Sequence, residues 1–274
     1  MFVFFRKLLA RNPISLVIWR VLQFPYPYRV ALVEIILLIF TRTRPHYYSA
    51  LFEAATLAKR LGIPKISTME FGVAGGAGLI ALERHARRVS RATSVMIEVY
   101  GFDMVSGLPK PKDYRDMPYA WQEGYFKSDR AWLQARLDRA RLIEGNIADT
   151  LPAFLEQERP APVGFIAVDV DYYSSTLATL GLFDGNHERY LPRVICYFDD
   201  LGNGNIFNGE HAAIETFNQS NATRKIARHE SFYSDFIYGR KAPLFFTMHD
   251  FDHPRYSEYT GFAAHTVDQD RIRG

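Results

Sequence analysis

Between Tyr47 and Leu61, apolar residues recur at intervals of three and four: Leu51, Ala54, Ala55, Leu57, Ala58 and Leu61. This spacing predicts an amphipathic helix, which Gly62, Ile63 and Pro64 stop. Beyond it the period changes. Short apolar runs at 66–71, 95–103, 140–144, 164–169 and 194–199, most ending in an acidic residue, alternate with helical stretches near 79–89, 129–139, 147–157, 176–190 and 209–218. Strands that alternate with helices in this way predict an α/β domain with a parallel sheet covered on both faces. Two aromatic-rich runs, 230–238 and 242–249, flank Gly239, Arg240 and Lys241 and predict an antiparallel pair completing the sheet.

Upstream of this alternation the chain has a different character, so the expected division is an N-terminal arm over 1–45 and a domain over 46–274. The arm reads as two apolar helices, about 2–23 and 29–41, separated by Pro25 and Pro27. It carries seven basic residues (Arg6, Lys7, Arg11, Arg20, Arg29, Arg42, Arg44) against Glu34 alone, whereas the rest of the chain is slightly acidic within a net charge of +3. Its longest apolar stretch, 30–40, contains Glu34 and is too short to span a bilayer, which takes about 20 apolar residues. No small-residue cleavage site follows it. Two roles stay open: packing on the domain or on a second copy of the chain to give a homo-oligomer, or peripheral docking at an anionic membrane surface.

Composition adds exclusions. With 48% hydrophobic and 23% charged residues the chain is ordinary globular protein. The net charge is too small to indicate a nucleic-acid partner. Cys196 is the sole cysteine, so no intramolecular disulfide or thiolate cluster can form, and a reducing, cytoplasmic setting is expected.

Candidate chemistry begins where the first strand runs into Gly72, Gly75, Gly76 and Gly78 and a helix starts at once with Leu79. Glycines there let main chain approach a ligand. Gly76-Ala77-Gly78-Leu79-Ile80-Ala81 also fits the dinucleotide fingerprint, which keeps an NAD(P)-dependent oxidoreductase open. Glu70, just before the glycines, could accept from a cofactor's ammonium group or orient the loop. Asp103 ends the second strand, where a carboxylate commonly meets ribose hydroxyls, or else caps the following loop. Asp169 and Asp171 end the fourth strand, and Asp199 and Asp200 the fifth.

Taken together, five segments resemble the macrocin O-methyltransferase family over about 66–218. They are Glu70-Phe71-Gly72-Val73 with its glycines, Gly101 through Pro109 (GFDMVSGLP), Asp149-Thr150-Leu151-Pro152, Asp169 through Thr176 (DVDYYSST), and Phe198-Asp199-Asp200. The resemblance implies a class I, Rossmann-like methyltransferase fold with a mostly parallel seven-stranded sheet. It implies S-adenosylmethionine held by Glu70, Gly72, Gly75, Gly76, Gly78 and Asp103. It also implies a divalent cation, usually magnesium, at Asp169, Asp199 and Asp200, and a small-molecule acceptor hydroxyl such as that of a sugar or natural product. Neighbouring strand tips lie about 4.8 Å apart, so these carboxylates would crowd, and a hard cation with oxygen ligands relieves that crowding. Asp169 is the first choice to assist deprotonation and Asp171 the second. The chain departs from the family at Ser106 and Ser174, where Glu is common, and at Ala74-Gly75, where Trp-Arg is usual. These departures weaken the sugar assignment.

The long connection 110–127 carries Tyr114, Tyr119, Trp121, Tyr125 and Phe126 and is expected to form a lid or a surface elaboration, with Tyr47 and Tyr48 lining the same pocket. His249, Asp250, Asp252 and His253 are expected to make a turn rather than a metal site. The rival classes are the oxidoreductase above and a methyltransferase-like binding protein without turnover.

Overall fold

The computed structural model describes residues 43–229 and 245–260. Residues 1–42 of the expected arm over 1–45, and the expected strand at 230–238, lie outside the described residues. Chain order is α1 (Pro45–Arg60), β1 (Lys65–Phe71), α2 (Ala77–Thr93), β2 (Met96–Asp103), α3 (Arg130–Gln134), β3 (Arg141–Glu144), α4 (Ile147–Glu158), β4 (Val163–Val168), α5 (Tyr173–Leu180), β5 (Tyr190–Phe198), α6 (Gly209–Ser220), β6 (Arg224–Arg228) and β7 (Phe245–Asp250). The strands form one seven-stranded sheet in the order β3-β2-β1-β4-β5-β7-β6. β1 to β5 run parallel, and β7 is antiparallel to both β5 and β6. No described helix is long and apolar enough to cross a membrane.

The central strands read as unbroken apolar runs because both faces are covered: all six residues of β4 are buried. One side of α1 (Tyr47, Ala50, Leu51, Ala54, Ala55, Ala58) belongs to the same core. Cys196 lies buried in β5, and burial pushes its thiol far above its ordinary value, as suits a packing residue.

Three expected elements are corrected. The antiparallel partner of β7 is Arg224–Arg228, upstream of 230–238. Only Ile226 of β6 is buried and the strand is otherwise largely basic, a composition that protects a sheet edge and hides it from an apolar pattern. The helix expected over 129–139 spans only Arg130–Gln134. The buried Glu83 carboxylate accepts the main-chain N–H groups of Asp138, Arg139 and Ala140 at 2.6–3.2 Å, drawing that segment out of the helix and into β3. The stretch 176–190 resolves into α5, which starts earlier, and two 3₁₀ turns, Gly181–Phe183 and His187–Arg189, with Gly185 at φ +94° between them.

Asp250, at the end of β7, is fully buried. It accepts from Tyr190 Oη at 3.0 Å, pairs with His187 Nδ1 at 2.6 Å, and has Arg224 Nε at 3.5 Å, which ties β5, β6 and β7 together. His249 instead meets Tyr256 Oη at 2.9 Å. Burial alone would raise the Asp250 carboxyl, but the hydrogen bonds from His187 and Tyr190 and the nearby positive charge hold it below its ordinary value. Its stabilisation is therefore present at neutral pH and lost as pH falls through that depressed value, below about 3.9. Asp250→Ala leaves a buried polar network without its acceptor and should cost roughly 3 kcal/mol. Thermal unfolding at neutral pH checks this, and an unchanged Tm would show that the network contributes nothing.

Candidate active site

The register of the sheet assembles the site. One row of paired residues, Phe102, Phe71, Val168 and Phe198, crosses β2, β1, β4 and β5. The next residue on each strand is Asp103, Gly72, Asp169 and Asp199, so four of the expected positions stand in line along one edge of the sheet. The strand order reverses between β1 and β4, where α/β sheets bind ligands at the carboxyl ends of their strands.

Main-chain bonds hold this line together: Gly72 N to Phe102 O (2.9 Å), Asp169 N to Phe71 O (2.8 Å) and Asp199 N to Val168 O (3.0 Å). Gly72 has φ +83°, and a Cβ there would stand 1.8 Å from the Asp169 carbonyl oxygen. Asp103 clamps the loop. Its Oδ2 accepts from Val73 N and Ala74 N, both at 2.8 Å, and its Oδ1 from Val105 N at 2.5 Å and Ser128 Oγ at 3.2 Å.

The remaining glycines divide by role. Gly76 precedes α2 and packs on Leu133, while Gly78 gives room to Glu70, whose Oε1 would be 1.8 Å from a Cβ at that position. Glu70 is buried in β1, accepts from Tyr47 Oη at 3.2 Å, and lies under the start of α2. Gly75 is exposed, with nothing within 4 Å of its Cβ position.

Above the line lies a cavity of about 310 Å³. Gly72, Ala74 and Asp103 bound it on one side, Met104, Leu108 and Pro109 follow β2, Asn146 and Ile147 come from the start of α4, and Asp169, Asp171, Asp199 and Asp200 form the acidic end. Glu70, Gly75, Gly76 and Gly78 do not line it. From the long connection, Trp121 and Phe126 reach the cavity, whereas Tyr114, Tyr119 and Tyr125 are exposed. Leu108 N to Tyr125 O and Gly124 N to Leu108 O, both 2.8 Å, close the base of this segment. Buried Asp116 fastens it to α5 by accepting from Ser174 N (2.8 Å) and Ser174 Oγ (2.9 Å). Ser174, one of the departures from the family pattern, thus anchors the segment. Tyr47 and Tyr48 do not line the cavity: Tyr47 is in the core and Tyr48 packs beside His85.

At the acidic end, Asp171 has φ +59° and shares a hydrogen bond with the Asp200 carboxyl. Burial, then the charges of Asp200 and Asp199, push the Asp171 carboxyl up to about 8. Tyr197 Oη donates to Asp199, and Asn203 Nδ2 donates to Asp200 Oδ1 at 2.7 Å. A fifth carboxylate, Glu210 in the first turn of α6, is fully buried and accepts from Asp200 N at 2.8 Å. Burial foremost, then Asp200 and Asp169, raise its carboxyl well above the ordinary range. Among the described residues, no three acidic, histidine or cysteine side chains already stand as a metal-holding group. Glu210, Asn146 and Ile147 carried no distinct ligand signal in the sequence, since acids and asparagines at helix starts are ordinary capping residues.

This architecture is the class I methyltransferase fold. The structure of CalS11, a calicheamicin methyltransferase, matches with a TM-score of 0.53 and 22% identity over 89% of each chain. The O-methyltransferase NovP matches with a TM-score of 0.50 and 17% identity over 74% of this chain and 78% of its own. No protein-family model matches the chain, and no curated protein sequence matches it.

The unequal surroundings of the glycines predict unequal outcomes. Gly72→Ala should lower Tm, because its Cβ collides with main chain, whereas Gly75→Ala should leave it unchanged. Thermal unfolding of the two variants checks this; equal behaviour would remove the β1–β4 contact from the site.

Proposed function

We propose that the chain is an S-adenosylmethionine-dependent O-methyltransferase that acts on a hydroxyl of a small molecule, such as a sugar or natural product, with a divalent cation at Asp169, Asp199 and Asp200. The observation that carries this reading is one cavity bounded by the glycine loop and Asp103 at one side and by a cluster of carboxylates at the other. A dinucleotide reading leaves that cluster without a task. The donor set suits magnesium: it is all hard oxygen, the cavity lining contains no lysine or arginine to neutralise it, and Glu210 Oε1 is buried with no hydrogen-bond partner. Bound there, the cation would lower the pKa of the acceptor hydroxyl.

The protein's own residues then have separable roles. Asp103 shapes the cofactor loop, and the main chain of Gly72 and Ala74 borders the cofactor. Asp169 serves as a cation ligand that assists deprotonation. Asp171, buried in the cavity lining beside Asp199 and Asp200, would be the second candidate to take the proton. When bound, S-adenosylmethionine would supply a sulfonium methyl group to the hydroxyl oxygen and leave as a neutral thioether. Trp121 and Phe126 cover the cavity and limit the access of water. In this reading the basic arm over 1–45 governs homo-oligomer assembly or peripheral contact with anionic membrane in a cytoplasmic enzyme, and takes no part in methyl transfer. The support for that role is its charge and apolar content.

Calorimetry with S-adenosylmethionine and NADH, each with and without magnesium, tests the reading. S-adenosylmethionine should bind and NADH should not; the reverse would overturn the proposal. Asp103→Ala should weaken S-adenosylmethionine binding by about 1.5–3 kcal/mol, through loss of charged hydrogen bonds that shape the loop. Once an acceptor is found, methyl transfer should cease in excess chelator and return with magnesium or manganese. Full turnover in chelator would remove the cation from the mechanism.

A further inference from the structure

Glu210 stands outside the residue set implied by the family resemblance, and its surroundings are unusual for a glutamate. It is fully buried, and Gly209 before it adopts φ +60° at the start of α6. Glutamate is almost never fully buried unless paired. Here one oxygen is accounted for, with Oε2 accepting from Asp200 N at 2.8 Å, while Oε1 is buried and has no hydrogen-bond partner. The charged side chains that act on it most strongly are the carboxylates Asp200, Asp169 and Asp199, all of which repel it. The helix dipole at the start of α6 favours an acid, but this effect is weaker than the cost of taking a carboxylate out of water. Packing gives no compensation either, since a neutral glutamine has nearly the same shape.

We propose that Glu210 is a positioning residue of the cation centre: Oε2 fixes the main chain of Asp200, and Oε1 accepts a hydrogen bond from a water molecule carried by the divalent cation. This rests on the cation reading above. Magnesium and manganese commonly keep several of their waters, and groups that orient ligands and waters from outside the coordination shell govern metal affinity. A carboxylate suits that place because its charge adds to the attraction for the cation and its free oxygen is an acceptor only. In this arrangement Glu210 costs stability in the cation-free protein and recovers it on binding.

That opposition supplies the test. Manganese alone is titrated into the full chain, followed by electron paramagnetic resonance of the free ion, with neither S-adenosylmethionine nor acceptor present. Thermal unfolding is measured in chelator. Glu210→Gln should bind manganese about ten- to a hundredfold more weakly than the natural chain, while its Tm in chelator is equal or higher. Glu215→Gln, which removes an exposed acid from the same helix, should leave manganese binding unchanged. Natural affinity in Glu210→Gln, or a fall in its chelator Tm, would overturn the proposal by showing a structural role only. A loss in Glu215→Gln equal to that in Glu210→Gln would overturn it by showing a general charge effect. If the natural chain binds no manganese, the cation reading itself falls and this inference with it, a result distinct from natural binding that survives Glu210→Gln.

Discussion

The main chains of Gly72 and Asp169 meet without room for a side chain between them, and the site is arranged around that contact. β1 and β4 are neighbours at the point where the strand order reverses, and their hydrogen bonding continues one residue past the ladder through Asp169 N and Phe71 O. With a Cβ 1.8 Å from the Asp169 carbonyl, any residue other than glycine would part the two strand ends. The glycine loop would then move relative to the acidic end of the cavity. On the proposed reading, methyl transfer would be an in-line displacement that depends on such alignment, so a small displacement here would have a large effect on rate.

Asp103 is the second fixed point, and its position explains a tension between loop structure and ligand binding. Its two oxygens collect the N–H groups of Val73, Ala74 and Val105 and the hydroxyl of Ser128, so that one carboxylate spans the loops after β1 and β2 and the residue preceding Asp129. A carboxylate so committed fixes the shape of the loop that borders the cavity. Glu83 does similar work behind the site by gathering three successive N–H groups ahead of β3, and Asp116 does it for the aromatic segment. Each of these acids replaces regular secondary structure as the partner of main-chain groups that burial would otherwise leave unsatisfied.

What was legible in the sequence follows from how local each signal is. The five parallel strands, the glycine turn and the row Asp103, Asp169, Asp199 were readable because apolar runs end at the sheet edge and the chemistry follows directly. The shortened α3 was not, because the residue that ends it, Glu83, lies 55 positions from Asp138. β6 was missed because edge strands are selected to look unlike buried ones. The glycines were read as a single loop, within which Gly72 lines the cavity and Gly76 and Gly78 stand against Leu133 and Glu70. Glu210 gave no signal: an acid in the first turn of a helix is common, and only the return of α6 onto the tip of β5 sets it among the aspartates.

The two ends of the sheet treat buried charge in opposite ways. At one end, Asp250 is surrounded by donors and a guanidinium, so its charge is favoured and the network holds β5, β6 and β7 together. At the other, burial and the neighbouring aspartates raise the proton affinity of Asp171 and Glu210, with no lysine or arginine in the cavity lining. A protein under selection for stability alone would replace such a cluster with apolar residues of similar volume at little or no loss. The proposed cation would supply a compensating positive charge that comes and goes. On that reading the acidic end is a place where fold stability is given up for binding, and the network at Asp250, together with the continuous core of β4 and β5, supplies the rigidity against which that loss is tolerated.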